Sequence, residues 1–133
     1  MTSPLGTICS FIDGHLVSGH GPVFDTLNPA TGRVIAQVHE ATADDVNRAI
    51  ASAQAGQLVW AAMSGAERGR ILMRAAALLR ERNDELAALE VQDTGKPWQE
   101  AQVVDVASGA DCIEYFAGAA ATLTGQQYPF KTA

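Results

Sequence analysis

The segment LEVQDTGKPWQE, residues 89–100, contains residue types of a phosphate-binding loop, because Gly95 and Lys96 stand side by side. A P-loop has the pattern G-x-x-x-x-G-K-[ST], in which glycine amides surround the phosphates and the final hydroxyl binds magnesium. Here the first glycine of the pattern falls on Glu90, and Pro97 occupies the hydroxyl position. We therefore predict a joint between two helices, in which Gly95 ends one helix in a left-handed conformation and Pro97 lies in the first turn of the next.

Cysteine and histidine are the other residue types here that could supply a nucleophile or a metal ligand. Cys9 and Cys112 lie far apart, without a C-x-x-C motif, and His15, His20 and His39 are scattered. Zinc sites and disulfide frameworks require closely spaced ligands or paired cysteines. We therefore predict neither, and we interpret both thiols as structural.

The composition is that of one globular domain without a basic surface. Of the 133 residues, 47% are hydrophobic and 18% are charged, and the formal net charge is −6. Nucleic acids bind basic faces, so this charge argues against a nucleic-acid partner. Residues 1–15 lack the basic start and apolar run of a signal peptide, and no segment reaches the ~18 apolar residues of a membrane span. We expect a cytoplasmic protein with no membrane partner.

Five arginines form a local basic feature between residues 68 and 82: Arg68, Arg70, Arg74, Arg80 and Arg82. The apolar positions between them fall on the other side of a helix, where Ile71, Leu72, Ala75, Leu78 and Leu79 are predicted to form a buried stripe. We interpret the basic face as solvated and salt-bridged, with an anion or partner site as the alternative.

The residues before Thr42 have the pattern of strands and turns. Asp13-Gly14 lies between two short apolar runs and predicts a β-hairpin. A turn at residues 28–32 is predicted to precede a strand over residues 34–38. Two or three short strands are not expected to form a parallel sheet. Because amphipathic helices usually cover a sheet, we expect these helices to cover one built from later sequence.

From Thr42 onward the apolar residues recur with the period of about 3.6 that amphipathic helices have. Thr42 is predicted to cap a first helix that ends at Gly56, and the capping box Ser64–Glu67 to start a second. A break is expected near Asn83-Asp84.

The last predicted helix follows Gly95 and ends in the small residues 117–121. Small side chains allow close approach, so we expect this patch to pack against a surface outside the chain.

Five segments occur in the order FIDG, NPATGRVIAQV, ADDVNRAIASAQ, WAAMSGAERGRILMRAAALLRERNDELAALEVQDTGKP and GADCIEYFAG. Together they resemble the N-terminal part of the aldehyde dehydrogenase superfamily, and betaine aldehyde dehydrogenases in particular, over residues 11 to about 130. The resemblance implies an α/β fold. A β-hairpin and a strand are followed by three or four amphipathic helices of the dinucleotide-binding domain, with the central Rossmann sheet absent.

The family's oxidative chemistry lies in later sequence, because its members are several times longer. They have a nucleophilic Cys in a G-Q-x-C context, a Glu in an E-L-G-G-K run and an Asn that helps to hold the oxyanion. None of these motifs occurs here, and neither Cys9 nor Cys112 has a matching context. The resemblance therefore implies no catalytic and no cofactor-binding residue in this chain.

The implied protein is a truncated piece of an NAD- or NADP-dependent dehydrogenase that oxidises an aldehyde, betaine aldehyde to glycine betaine, in a homo-oligomer (dimer or tetramer). Residues 1–133 would be an incomplete N-terminal segment of the dinucleotide-binding domain, without the catalytic and oligomerisation domains. We expect it to be inactive alone and to bind no cofactor alone. The alternative is a non-enzymatic helical module that docks onto full-length subunits or another partner, since exposed apolar helix faces favour association.

The resemblance also implies a cation site. In betaine aldehyde dehydrogenases a monovalent cation, usually potassium, is held by backbone carbonyls before an N-P turn and by a carboxylate ahead of T-G-K. The matching positions are Thr26 and Leu27, through carbonyls, and Asp93, through its side chain. Hard oxygen ligands suit such an ion. From the residues alone, Asp93 could instead be a carboxylate that fixes a helix end.

A further implied role concerns the substrate. In relatives that oxidise cationic aminoaldehydes, acidic residues of this last helix line the mouth of the substrate tunnel, where they attract an ammonium group. Asp105 matches one of them, whereas Ser108 stands where some relatives have a second acid. An exposed helix carboxylate is the alternative for Asp105.

Overall fold

The computed structural model describes residues 6–126 and 129. In that part of the chain five strands precede the helices: β1 (Thr7–Ile8), β2 (Ser10–Ile12), β3 (His15–Val17), β4 (Val23–Leu27) and β5 (Val34–His39). Strands β2 and β3 form the predicted antiparallel hairpin. Its two turn residues, Asp13 and Gly14, both have positive φ, as the common two-residue hairpin turn requires.

The other three strands form a sheet in the order β1-β5-β4. The predicted turn connects β4 to β5 as an antiparallel pair, and the Asn28 side-chain oxygen accepts from the Ala30 amide at 2.9 Å. Strand β1 pairs with β5 in parallel over two residues, so the sheet is mixed rather than parallel, and this one parallel pair was not predicted. Residues 9–33 separate the two strands, which is long enough for the crossover that parallel pairing needs.

The helices are α1 (Ala43–Ala62), α2 (Gly65–Glu81), α3 (Asn83–Thr94), a single turn α4 (Trp98–Glu100) and α5 (Val106–Ala119), with a π-helical turn at Ala101–Asp105. The break near Asn83 and the capping box of Ser64 with Glu67 are confirmed. The prediction that Gly56 ends the first helix is wrong, because α1 continues to Ala62. An interior glycine weakens a helix by only about 1 kcal/mol, which the surrounding alanine-rich sequence offsets.

Thr42 caps α1 as predicted, and Asp45 completes a capping box there. The Asp45 side chain is only 3% exposed, and it accepts from the Thr42 amide at 2.9 Å, from His20 Nδ1 at 2.7 Å and from Arg48 at 2.5 Å. Hydrogen bonds from the Thr42 backbone and hydroxyl, with smaller contributions from Arg48 and His20, hold the Asp45 pKa well below its ordinary value. This cluster fixes the segment before β4 to the start of α1.

Helices α2 and α5 pack closely through small residues. A Cβ atom built on Gly65 would lie 2.1 Å from the Ala120 carbonyl oxygen, and one on Gly69 would lie 2.6 Å from that of Ala117. The patch at residues 117–121 therefore has its partner within the chain, contrary to the prediction of an outside surface.

Two of the five arginines bear out the salt-bridged interpretation of the basic face. Arg80 donates to Asp111 of α5 at 2.8 Å and also to Glu114, and Arg82 pairs with Glu85 at 2.6 Å.

The core consists mainly of small side chains. The buried apolar residues in the described part of the chain are Ile35, Ala36, Ala76, Ala87, Ala101, Ala110 and Ala117. The predicted buried stripe of α2 is only partly buried, since Ile71 and Leu78 are 47% and 46% exposed. No described helix is both long and apolar enough to cross a membrane. Other large apolar side chains of the described residues, among them Phe11, Leu16 and Leu58, are more than 70% exposed.

Candidate functional site

A cavity of about 640 Å³ separates the three-stranded sheet from helices α2, α3 and α5. We call it the sheet–helix cavity. Its sheet wall consists of Ile8, Phe24, Thr26, Ile35, Ala36 and Val38, and its helix wall of Leu79, Leu86, Leu89, Glu90, Asp93, Val106 and Gly109. The walls are apolar apart from Thr26 and the two carboxylates, so polar chemistry is confined to one part of the lining.

Two of the three predicted cation ligands meet at this cavity. The Thr26 hydroxyl donates to Asp93 Oδ1 at 3.4 Å, although the residues are separated by 67 positions in the chain. The register of β4 against β5 shifts between Thr26 and Leu27, and Asp93 lies in the last turn of α3. Carbonyl groups at a helix C-terminus carry partial negative charge, so this carboxylate lies where a cation is favoured.

The prediction assigned the Thr26 carbonyl to the cation site. In the structure the Thr26 hydroxyl also faces the site, because it is the group that contacts Asp93. Leu27 follows in β4, and its side chain is half-exposed. Asp93 is also exposed, so this carboxylate is open to solvent and to ions.

The predicted joint between helices fixes this arrangement. Gly95 ends α3 with a left-handed φ of 75°, and its amide donates to the Val91 carbonyl at 3.0 Å. A Cβ atom on Gly95 would lie 2.9 Å from Pro29 Cγ, so glycine lets the β4–β5 turn approach the end of α3. Pro97 lies immediately before α4 rather than inside its first turn. Because Gly95 has no side chain, the β4–β5 turn can lie close to the end of α3, next to Asp93.

Asp105, the predicted substrate-facing carboxylate, is paired with a cation of the chain itself. Lys96 Nζ donates to Asp105 Oδ2 at 2.6 Å, and the side chains are 37% and 27% exposed. Hydrogen bonding to Asp105 raises the Lys96 pKa. The Ser108 hydroxyl donates to the Asp105 carbonyl at 3.1 Å. A cationic ligand at Asp105 would therefore share the carboxylate with Lys96.

The π-helical turn that carries Asp105 is fixed by side chains of α3. Asn83 Nδ2 donates to the Gln102 carbonyl at 3.0 Å, which satisfies one acceptor of the turn. The Gln102 amide donates to Asp84 at 2.6 Å and accepts from the Trp98 indole at 3.1 Å. Sequence reasoning missed this anchor, and it missed Lys96 as the partner of Asp105, because no regular spacing relates residues across such a turn.

The two thiols are free, as the sequence predicts. Cys9 Sγ lies 3.6 Å from the Ser18 hydroxyl, and Cys112 is exposed on α5. Across residues 6–126 and 129, no group of three His, Cys, Asp or Glu side chains is arranged to hold a metal ion. The candidate site is an apolar cavity whose polar lining consists of the Thr26 hydroxyl and the carboxylates of Glu90 and Asp93.

The described part of the chain is an α/β arrangement, with small sheets followed by packed helices. Residues 16–133 match the aldehyde dehydrogenase family. The chain therefore belongs to the aldehyde dehydrogenase family, and its fold is the N-terminal part of the aldehyde dehydrogenase fold, as predicted.

Solved structures agree with this assignment. An NAD+ complex of an aldehyde dehydrogenase from Bacillus cereus is 38% identical, with a TM-score of 0.88 over 94% of this chain and 26% of that one. Gamma-glutamyl-gamma-aminobutyraldehyde dehydrogenase from Burkholderia cenocepacia J2315 is 40% identical, with a TM-score of 0.87 over 92% of this chain and 26% of that one. PnpE in complex with nicotinamide adenine dinucleotide is 35% identical, with a TM-score of 0.87 over 98% and 26%. The chain thus spans about a quarter of the length of these relatives.

Proposed function

We propose that this chain is the N-terminal segment of the dinucleotide-binding domain of an NAD- or NADP-dependent aldehyde dehydrogenase, which oxidises an aldehyde to the carboxylate. The observation that carries the proposal is the family match over residues 16–133, together with similar structures that contain NAD. Hydride transfer requires a held nicotinamide and an activated nucleophile in near-attack geometry. Because the chain contains no motif for either, we propose that residues 1–133 alone are inactive.

The test compares the 133-residue chain with the longer protein of which we propose it to be the N-terminal segment. NADH or NADPH formation is measured with a panel of aldehydes. We expect turnover only for the longer protein, which we propose to be a cytoplasmic homo-oligomer. Turnover by residues 1–133 alone would contradict the inactivity of the segment, and a longer protein that reduces no dinucleotide would contradict the proposed reaction.

For the substrate we propose betaine aldehyde, oxidised to glycine betaine, with Asp105 attracting the quaternary ammonium group. Because Lys96 pairs with Asp105, the proposal can be tested in the longer enzyme by changing either residue. Asp105→Asn should raise KM for betaine aldehyde about tenfold and leave KM for an uncharged aldehyde unchanged, since removal of one charge acts on the cation alone. Lys96→Met should lower KM for the cationic substrate, because it removes a competitor for the carboxylate.

Asp44→Asn is the matched control for Asp105→Asn, because Asp44 is an exposed carboxylate in the first turn of α1. Its substitution should leave both KM values unchanged. Equal KM changes for charged and uncharged aldehydes would contradict a role of Asp105 in charge recognition.

We further propose that Asp93, with the carbonyls of Thr26 and Leu27, holds a potassium ion in the complete enzyme. The Thr26–Asp93 contact beside the C-terminus of α3 supports this, because a carboxylate and helix carbonyls favour a cation. Thermal unfolding of the longer enzyme is measured in potassium chloride and in tetramethylammonium chloride at equal ionic strength. We expect a higher Tm in potassium, and Asp93→Asn should abolish the difference.

Asp25→Asn is the control for that experiment, since Asp25 precedes Thr26 in β4 and accepts from Gln37 on the adjacent strand. The control should keep the full potassium effect. A potassium effect that survives Asp93→Asn would contradict the proposed site.

A further inference from the structure

Residues 98–119 form one helical run that is interrupted by a π-helical turn. The backbone is right-handed helical at Glu100 and Val106, on either side of the turn at Ala101–Asp105. Within the turn the Val106 amide donates to the carbonyl of Ala101, five residues earlier. Such turns are rare, and they occur mostly as single turns inside α-helices, frequently at functional sites. The π-helical turn is therefore an irregular element of this fold whose role requires an explanation.

The register of this turn determines the direction of Asp105. An α-helix turns by about 100° per residue, so a change of one residue in the register turns every later side chain by about that angle. In the observed register Asp105 Oδ2 lies 2.6 Å from Lys96 Nζ, in the segment before α4. An α-helical register at this point would turn Asp105 away from Lys96. The contact between the two side chains thus depends on the π-helical register.

Asn83 bonds to the turn from outside the helical run. It is the first residue of α3, and its Nδ2 donates to the Gln102 carbonyl, within the turn, at 3.0 Å. Its Oδ1 is buried and has no hydrogen-bond partner among the described residues. A buried acceptor without a donor destabilises a fold. An apolar side chain of similar size would avoid that cost, so the donor of the amide, rather than packing, explains an asparagine here.

We propose that Asn83 is a positioning residue for Asp105, because its bond to the Gln102 carbonyl keeps the turn π-helical and so holds the carboxylate beside Lys96. For the role of Asp105 towards a cationic substrate, this inference rests on the proposed function. The Gln102 side chain supplies a second, more exposed tie, since its amide donates to Asp84 at 2.6 Å. Neither Asn83 nor Gln102 is charged, so their replacement by uncharged residues moves Asp105 without altering the charges around it.

The titration of Lys96 reports the position of Asp105 in the 133-residue chain. Hydrogen bonding to Asp105 raises the Lys96 pKa. Glu90 and Glu100 contribute less, and they stay unchanged in every variant. The Lys96 pKa is measured from the NMR chemical shifts of its side chain in wild type and in Asp105→Asn, which defines the full effect of Asp105. We expect Asn83→Leu to lower the Lys96 pKa most of the way to its value in Asp105→Asn.

Three further variants separate the position of Asp105 from general stability. Asn47→Leu is the matched control, because Asn47 is exposed on α1. Ser64→Ala weakens the cap of α2, at the opposite end of that helix from Asn83. Both should leave the Lys96 pKa unchanged. Gln102→Met removes only the exposed tie, so it should lower the Lys96 pKa by a smaller amount, and it serves as the test if circular dichroism shows that Asn83→Leu does not fold.

The same variants report on the substrate in the longer enzyme. Asn83→Leu should raise KM for betaine aldehyde about fivefold, because a displaced carboxylate attracts the cation less. It should leave kcat and the KM for an uncharged aldehyde unchanged. Asn47→Leu should change neither KM.

An unchanged Lys96 pKa in folded Asn83→Leu would overturn the proposal, as would an equal change in Asn47→Leu or Ser64→Ala. A lowered Lys96 pKa together with an unchanged KM for betaine aldehyde would support the positioning of Asp105 by Asn83. That result would contradict only the proposed role of Asp105 in substrate recognition, so failure of the inference and failure of the proposed function give different results.

Discussion

The α2–α5 pair and the three-stranded sheet differ in how closely they are packed and in how much apolar surface they leave exposed. Helices α2 and α5 approach to backbone contact at Gly65 and Gly69, and Arg80 links them by ion pairs. The sheet, in contrast, presents a half-exposed apolar row to an open cavity. The difference shows that the helices are packed to backbone contact, whereas the sheet leaves large apolar side chains half-exposed.

The largest expected effect on the free energy of unfolding is at the α2–α5 interface. Gly69→Ala forces a methyl group to 2.6 Å from the Ala117 carbonyl oxygen, so we expect a loss of about 3 kcal/mol in the free energy of unfolding. Gly56→Ala is the control, because a Cβ there meets no atom within 4 Å and should stabilise α1 by about 0.5–1 kcal/mol. Urea unfolding followed by circular dichroism measures both. Equal effects would mean that α2 and α5 are not in backbone contact.

The next largest effect on stability is expected at Gly95, where the end of α3 meets the β4–β5 turn. Gly95 and Gly32 both have positive φ, but only Gly95 lies against another residue, Pro29. Replacement by alanine should cost about 1–2 kcal/mol at Gly32 from backbone conformation alone. It should cost about 1 kcal/mol more at Gly95, where the methyl group also overpacks. The same unfolding measurement tests the difference, and an equal loss at both positions would contradict the approach of the β4–β5 turn to α3.

The start of α2 is expected to respond less. Ser64→Ala removes the acceptor for the Glu67 amide and one of the donors to its carboxylate, so it should cost about 1 kcal/mol. Ser108→Ala on α5 is the control, because that hydroxyl contacts a carbonyl inside a continuous helix and caps nothing. It should change stability by less than about 0.5 kcal/mol. A loss as large for Ser108 as for Ser64 would contradict the importance of the cap.

The smallest expected effect concerns the Lys96–Asp105 pair, which is partly exposed. Asp105 raises the Lys96 pKa in the folded state, so the pair's contribution is fully present below the unfolded lysine pKa of about 10.4. It is lost as the pH rises through the higher folded value. Unfolding of wild type and Lys96→Met at pH 7 and above pH 11 measures it. We expect a small difference at pH 7 that salt reduces and alkali removes, whereas a difference that grows with pH would contradict the pair.

Local signals predicted much of this fold. The Asp13-Gly14 turn, the caps at Thr42 and Ser64 and the left-handed Gly95 all depend on residues within a few positions, and all are confirmed. Asp45 had such a signal too, since Thr42-Ala43-Asp44-Asp45 fits the capping pattern.

Other features depend on tertiary contacts that no local pattern encodes. The sequence offered no indication that Gly69 would meet Ala117, or that Lys96 would reach Asp105 across a turn. Gly56 was misassigned because a weak intrinsic breaker yields to the helix on both sides. The pairing of Thr26 with Asp93 came from the family resemblance alone, since 67 residues separate them.

Hydrogen exchange of the isolated chain, compared with that of the same residues in the longer protein, tests the central contrast most directly. In the isolated chain we predict slow exchange for backbone amides of α2 and α5 and fast exchange for those of β4 and β5. In the longer protein the strand amides should exchange markedly more slowly, and the helix amides at nearly the same rate. Strand amides that are already as protected as the helices in the isolated chain, or that exchange equally fast in both proteins, would contradict the account.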